Sequence, residues 1–188
     1  VEGPVRQRHD QTEIRIRPGD LPQVMRTLHD EPDLRFEYLA DHPEHLPTLA
    51  RWHHQEWGGQ ARDWPVEVAQ AERASHRQRS AIPTTIIALE GEMLLGSASL
   101  LVEDMPDFPP LAPWLASVYL IPERRCRGLG TALVRRVIAE ARRLGVGRLY
   151  LFSTGAVPFY VARGWQPWGP AMAAGIPGQI LYFDLTPD

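Results

Sequence analysis

Val118-Tyr119-Leu120-Ile121-Pro122-Glu123-Arg124-Arg125-Cys126-Arg127-Gly128-Leu129-Gly130-Thr131 is the stretch on which the fold turns. An apolar strand runs out at Ile121-Pro122. A helix opens at Gly128, with Leu129, Leu133, Val137, Ile138 and Ala141 recurring at the spacing of one helical face. Between them, Gly128 and Gly130 let the backbone approach a ligand closely, and the first-turn N–H groups of the helix lack helical partners. Such a turn suits a phosphate, and Arg125 and Arg127 add positive charge. A bare Gly-x-Gly also marks an ordinary strand-to-helix turn. A dinucleotide site would place a third Gly or Ala at position 133, where Leu133 stands, and an acid about 20 residues further on.

Outward from this turn, the pattern predicts strands over residues 36–39, 84–89, 93–102, 114–121, 149–152 and 179–185. Helices are predicted over 44–57, from the Asp63 cap and Pro65 to about 79, over 128–144 and over 157–163, the last ending at Gly164. Glu90-Gly91-Glu92 reads as a hairpin turn between the second and third strands. The element order, β-α-α-β-β-β-α-β-α-β, implies a mixed sheet packed by helices. Residues 1–33 form an N-terminal extension with apolar patches at Ile14, Ile16 and 21–28, and the main domain is expected over 34–188.

At 188 residues and 44% hydrophobic, the chain can bury one core without staples, and its net charge of −3 gives no global drive toward nucleic acid or an anionic membrane. All 20 basic residues are Arg. The absence of Lys excludes a P-loop, a Schiff-base lysine and pyridoxal-phosphate chemistry. Asn is absent as well, a composition that fits GC-rich bacterial coding. The lone Cys126, the lack of a signal-like apolar run and the lack of any stretch near the ~18 apolar residues of a membrane span lead to a cytoplasmic expectation. The Arg135-Arg136 and Arg142-Arg143 pairs, with Glu140 between them, read as the solvated face of the signature helix.

The turn resembles the acetyl-CoA signature of the GNAT N-acetyltransferases, Arg/Gln-x-x-Gly-x-Gly/Ala, here Arg125-Cys126-Arg127-Gly128-Leu129-Gly130. Phe159-Tyr160-Val161-Ala162-Arg163-Gly164-Trp165 matches a second family element, an aromatic-Tyr pair followed by Gly and an aromatic. The resemblance covers residues 84–185, and more loosely from 36 onward. It implies an α/β fold, a GNAT-like mixed β-sheet with a splayed central strand pair flanked by helices, and acetyl-CoA as cosubstrate. The pantetheine arm would bond the backbone of Val118, Tyr119 and Leu120, with an amide near Val118 facing the thioester oxygen. Backbone around Arg125, Cys126, Arg127, Gly128, Leu129, Gly130 and Thr131 would hold the diphosphate. Two departures stand out. Cys126 replaces a common Gly, so a positive φ there implies strain, and Ser153 replaces a common Asn beside the pantetheine arm.

The resemblance makes Tyr160 the proton or hydrogen-bond donor to the leaving thiolate. The family's strand carboxylate falls on Trp114, which takes no proton, so Glu103 is the expected base, brought to the same end by antiparallel pairing of 93–102 with 114–121. Trp52, His53, Glu56 and Trp57, with Trp114, are expected to line the acceptor site. Cys126 reads as a backbone contributor rather than a nucleophile, since no His follows at a motif spacing. His42, His45 and His53 lack a zinc-site pattern, so no metal is expected. The expected activity is acetyl transfer to a primary amine, small molecule or peptide, by direct attack, without nucleic acid or membrane partners and with homodimer formation as a family habit. The alternatives are a CoA-binding module without transferase activity and an α/β domain holding another phosphorylated ligand.

Overall fold

β-Branched and apolar residues build β2 (Thr84–Glu90) and β3 (Met93–Leu101), and the two residues between them turn the chain at Gly91, whose φ is +56°. The computed structural model describes residues 33–58, 78–105, 107–108 and 110–185. Around this hairpin the chain adds β1 (Leu34–Tyr38), α1 (Leu46–Trp57), β4 (Trp114–Leu120), α2 (Leu129–Arg143), β5 (Arg148–Ser153), α3 (Val157–Val161), β6 (Gln166–Ala173) and β7 (Ile176–Asp184). The strands form one mixed sheet in the order β1-β2-β3-β4-β5-β7-β6. Among the described residues only β4 and β5 run parallel, joined by the α2 crossover; the other pairs are antiparallel.

Alternation along the strands assigns the two faces. Ile86, Ala88, Leu95, Leu115 and Leu181 join Leu133, Val137 and Ala141 of α2 in the main core. Their neighbours Ile87, Leu89 and Leu94 point the other way and meet Leu39 and Leu49 on the α1 side. On that same face Trp114 and Ile180 pack with Met105 and Leu111 from the loop after β3. Burying each large aliphatic side chain of α2 contributes about 1.5–3 kcal/mol, so this one helical stripe fixes the helix on the sheet.

Two expectations need correction. A seventh strand, β6, was not foreseen because Pro167, Gly169 and Pro170 read as loop; as an edge strand it has one side free of ladder bonds and so tolerates proline. Glu140 does not sit on a solvated face: it is 1% exposed. Its Oε2 accepts from the Tyr38 hydroxyl at 2.8 Å and from Arg136 at 3.0 Å, and its Oε1 from Arg143 at 2.6 Å, tying α2 to β1. The helix expected from 63 to 79 falls outside the described residues except at its end, where Gln78 and Arg79 are not helical, and the patches in 1–33 also lie outside them. Among the described residues no helix is long and apolar enough to cross a membrane.

Burial pushes the Glu140 carboxyl up, but hydrogen bonds from Arg143, Arg136 and Tyr38 outweigh it and hold its pKa below the ordinary value. A depressed folded pKa means stability that is present above the unfolded pKa, near 4.3, and lost as pH falls through the folded one. Glu140→Ala should therefore cost about 2 kcal/mol at pH 7, since its partners can partly rehydrate, and the deficit should shrink below about pH 4. Urea unfolding of both proteins at pH 7 and pH 3.5 measures it.

Candidate active site

The site begins with an extra residue in β4. Ser99 pairs with Ala116 but Ser97 pairs with Tyr119, so two steps on β3 face three on β4. The surplus is taken up at Ser117, whose φ is +52°. Beyond the bulge β4 stays on β3: Leu120 pairs with Gly96, and the Ile121 amide donates to Leu95 O at 2.9 Å. Gly96 is required for this approach, because a Cβ there would lie 2.2 Å from Tyr119 O. On its other side β4 pairs with β5 only at Trp114 and Tyr150. The backbone of Val118, Tyr119 and Leu120 thus faces a gap, as the splayed strand pair requires.

After β4 a 3-10 turn, Pro122–Arg124, leads through Cys126 (φ +60°) and Gly128 (φ +86°) into α2. The left-handed angle at Cys126 realises the strain anticipated for this departure from glycine. Among the described residues no side chain caps α2, and no acid occupies its first turn. The first intrahelical donor is Ala132, bonding Gly128 O at 3.1 Å, so the N–H groups of Leu129, Gly130 and Thr131 have no partner within the helix. Arg127 and Cys126 are exposed. Arg125 instead turns back: its Nε donates to Leu120 O at 2.9 Å, Nη2 lies 3.6 Å from Glu56 Oε2, and the guanidinium stacks 5.5 Å from the Tyr119 ring. Its side chain braces the turn against β4 and α1.

On the α1 face the Tyr119 ring gathers Trp52 at 5.4 Å and Trp57 at 6.3 Å, beside Glu56. Burial pushes the Tyr119 phenol up, opposed by Arg125. Two residues expected to line an acceptor are fully buried. His53 is 0% exposed, its Nε2 3.0 Å from Ser97 Oγ, and Trp114 is 0% exposed, its Nε1 donating to Leu111 O at 2.5 Å. Both are core residues, each with a ring nitrogen bonded inside the protein. Glu103 is exposed on the loop after β3, two residues past Leu101, the partner of Trp114.

On the α2 face Tyr160 is 6% exposed, held edge-on by Phe159 at 5.0 Å and Trp165 at 5.9 Å. Burial pushes its phenol well up, with Arg163 opposing, so the hydroxyl stays protonated. Ser153, at the end of β5, accepts from the Ala156 amide at 3.0 Å, which leaves its own proton free to donate. A hollow of about 410 Å³ opens beside it, lined also by Val157, Pro170 and Gln179. Arg163 was not singled out from sequence. Its Nε donates to Thr131 Oγ1 at 2.9 Å, joining the second motif to the first, but nothing local in the sequence announces that contact. Among the described residues, one group of metal-ligand types comes together, His42, Glu44 and His45, with ligand atoms within 4.8 Å of one another; His53 is not part of it.

This architecture is one already known. Residues 32–165 match the model of the acetyltransferase (GNAT) family, and the chain belongs to that family. The structure of yncA from Salmonella typhimurium with its cofactor acetyl-CoA is 15% identical, with TM-score 0.63 over 82% of this chain and 95% of that one. Aminoglycoside 6'-acetyltransferase type Ii is 16% identical, with TM-score 0.65 over 82% of this chain and 99% of its own. An aminoglycoside 6'-N-acetyltransferase complexed with coenzyme A is 15% identical, with TM-score 0.61 over 78% and 93%. At such identities the likeness establishes the fold alone. Comparison with curated proteins finds no match.

The positive φ at Cys126 is testable. A β-carbon in the left-handed region costs about 1–2 kcal/mol, partly offset by the chain entropy glycine adds to the unfolded state. Cys126→Gly should raise stability by up to about 1 kcal/mol, whereas the β-branched Cys126→Val should lower it by more than about 1 kcal/mol. Urea midpoints of the two variants decide it.

Proposed function

We propose that this chain transfers an acetyl group from acetyl-CoA to a primary amine by direct attack, with no covalent enzyme intermediate. The observation that carries the reading is the single β4–β5 pairing at Trp114 and Tyr150, which leaves the backbone of Val118, Tyr119 and Leu120 facing a gap. A pantetheine arm lying there would receive the sheet-like bonds that β5 does not make. The open amides of Leu129, Gly130 and Thr131, with backbone from Arg125 to Gly128, would take the diphosphate, and Ser153 would donate to the arm. An amide near Val118 would meet the thioester oxygen as it gains charge.

The amine nitrogen attacks the thioester carbon, the carbon–sulfur bond breaks, and the amine gives up a proton. An alkyl ammonium near pKa ~10.4 is almost wholly protonated at neutral pH, so that proton has to be taken up before attack. Glu103 is the residue we assign to it, from its place two residues past Leu101, the β3 partner of Trp114. Tyr160 serves the other end. A phenol pushed above its ordinary pKa is a weaker acid than a thiol near ~8.5, so it steadies the departing thiolate by a hydrogen bond, and sulfur takes its proton from solvent after release. Trp52, Glu56 and Trp57, around Tyr119, form the acceptor wall.

A hydrogen bond to a charged group is worth about 1.5–3 kcal/mol, so Tyr160→Phe should lower amine-dependent thiol release about 10- to 100-fold. Its CoA affinity should stay within about twofold, because Tyr160 acts on a charge absent from the bound ground state. Equal turnover in the variant would remove Tyr160 from the reaction, and CoA binding without thiol release across varied amines would favour a binding module. Glu103→Gln should abolish or displace the acidic limb of the kcat/KM profile; an unaltered limb would send the proton to water.

A further inference from the structure

His42, Glu44 and His45 lie apart from the cleft, where the chain passes from β1 to α1. Short backbone bonds wind this lead: the His42 amide donates to Leu39 O and the His45 amide to His42 O, each at 3.1 Å. In the 3-10 turn Pro43–His45, side chains three positions apart eclipse, so the two imidazoles stack with centroids 5.9 Å apart and planes 29° from parallel. Glu44 completes the group, its Oε1 lying 3.1 Å from His42 Nδ1. The lead is anchored on both sides. Leu39 and Leu49 are buried with Ile87 and Leu89, and Asp41 pairs with Arg79.

One polar atom of the group is unmet. His45 Nε2 is buried and, among the described residues, has no hydrogen-bond partner, a standing cost that a bond to a metal ion would remove. The three side chains bring their ligand atoms within 4.8 Å of one another. Around a tetrahedral ion with bonds of ~2.0–2.1 Å, neighbouring ligand atoms sit ~3.3 Å apart. His42 and Glu44 already stand near that separation, and Glu44 is exposed and free to turn for the remainder. Two imidazoles and a carboxylate suit Zn²⁺ and its neighbours in the first transition row, whereas Mg²⁺ and Ca²⁺ take oxygen ligands.

We propose that His42, Glu44 and His45 form a binding site for a divalent transition metal ion of the zinc class, with water at the fourth corner. No sequence motif marks it, because the eclipsed 3-10 turn brings the ligands together. The ion fixes the lead into α1, whose last turn carries Glu56 and Trp57. At ~1.5 Å per residue the helix holds it roughly 15 Å from that wall, so it places the helix and takes no part in the transfer. The inference does not rest on the acetyl-CoA reading.

Isothermal titration of Zn²⁺ into the untagged, chelator-treated chain tests this, with Mg²⁺ as the comparison ion. The wild type should bind Zn²⁺ and not Mg²⁺. His42→Ala and His45→Ala should each lose at least about 100-fold in Zn²⁺ affinity, since even the outer partners of metal ligands are worth about 10- to 100-fold. Glu44→Gln, which replaces the carboxylate by a neutral amide, should lose about tenfold. Co²⁺ in place of Zn²⁺ should give the ligand-field bands of a four-coordinate ion without a thiolate charge-transfer band, which separates this group from Cys126. Zn²⁺ should also raise the Tm of the wild type and leave that of His42→Ala unchanged. Absence of Zn²⁺ binding, a thiolate band, or losses below about tenfold in both His variants would each overturn the proposal. Should His45→Ala fail to fold, the half-buried His42 and exposed Glu44 carry the comparison, and affinities of both their variants within about twofold of wild type overturn it.

Discussion

A single surplus residue in β4, absorbed at Ser117, decides what the rest of this molecule can do. Up to Trp114 the strand belongs to a continuous sheet; past the bulge it follows β3 and leaves β5. Backbone donors and acceptors that would bond one another in an ordinary parallel pair are thereby offered to something else. The bulge also swings the Tyr119 side chain onto the α1 face, where Trp52 and Trp57 surround it. The gap and one wall of the cleft thus have a common cause, and Gly96 is the position across β3 that keeps the displaced strand in register.

A chain whose only strong cation is guanidinium uses it as a clamp. Arg125 joins the signature turn to Leu120 O and Glu56, Arg163 joins α3 to Thr131, and Arg136 with Arg143 locks Glu140. The planar fork of arginine can serve a carbonyl and a second acceptor at once, which a lysine ammonium does with less geometric definition. The loops around the site are consequently tied by side chains to the elements they connect, and the position of the turn depends on α1 as much as on α2.

Much of this was legible in the chain. The Gly128-Leu129-Gly130 turn, the stripe from Leu129 to Ala141 and the Phe159-Tyr160 pair all carry local signals, in glycine geometry and in helical period. The features that escaped are those set by distant partners. Nothing about Ser117 in the sequence announces a positive φ, because that angle is imposed by the pairing with β3. Glu140 sits between arginines like any surface acid, and only the arrival of Tyr38 from β1 buries it. Trp114 and His53 read as candidate ligand contacts because aromatics and histidines suit either role. The loop carrying Leu111 and the Ser97 hydroxyl claim them for the interior.

The outermost strand on the β7 side carries a further consequence. Pro167 and Pro170 stand opposite Leu181 and Gln179 and have no amide hydrogen to give, which an edge strand tolerates because one of its sides bonds nothing. Facing outward, the same two positions interrupt the row of donors that an exposed edge would otherwise present. A sheet that has to keep one seam unzipped at its centre is in this way protected from being extended, strand by strand, at its rim.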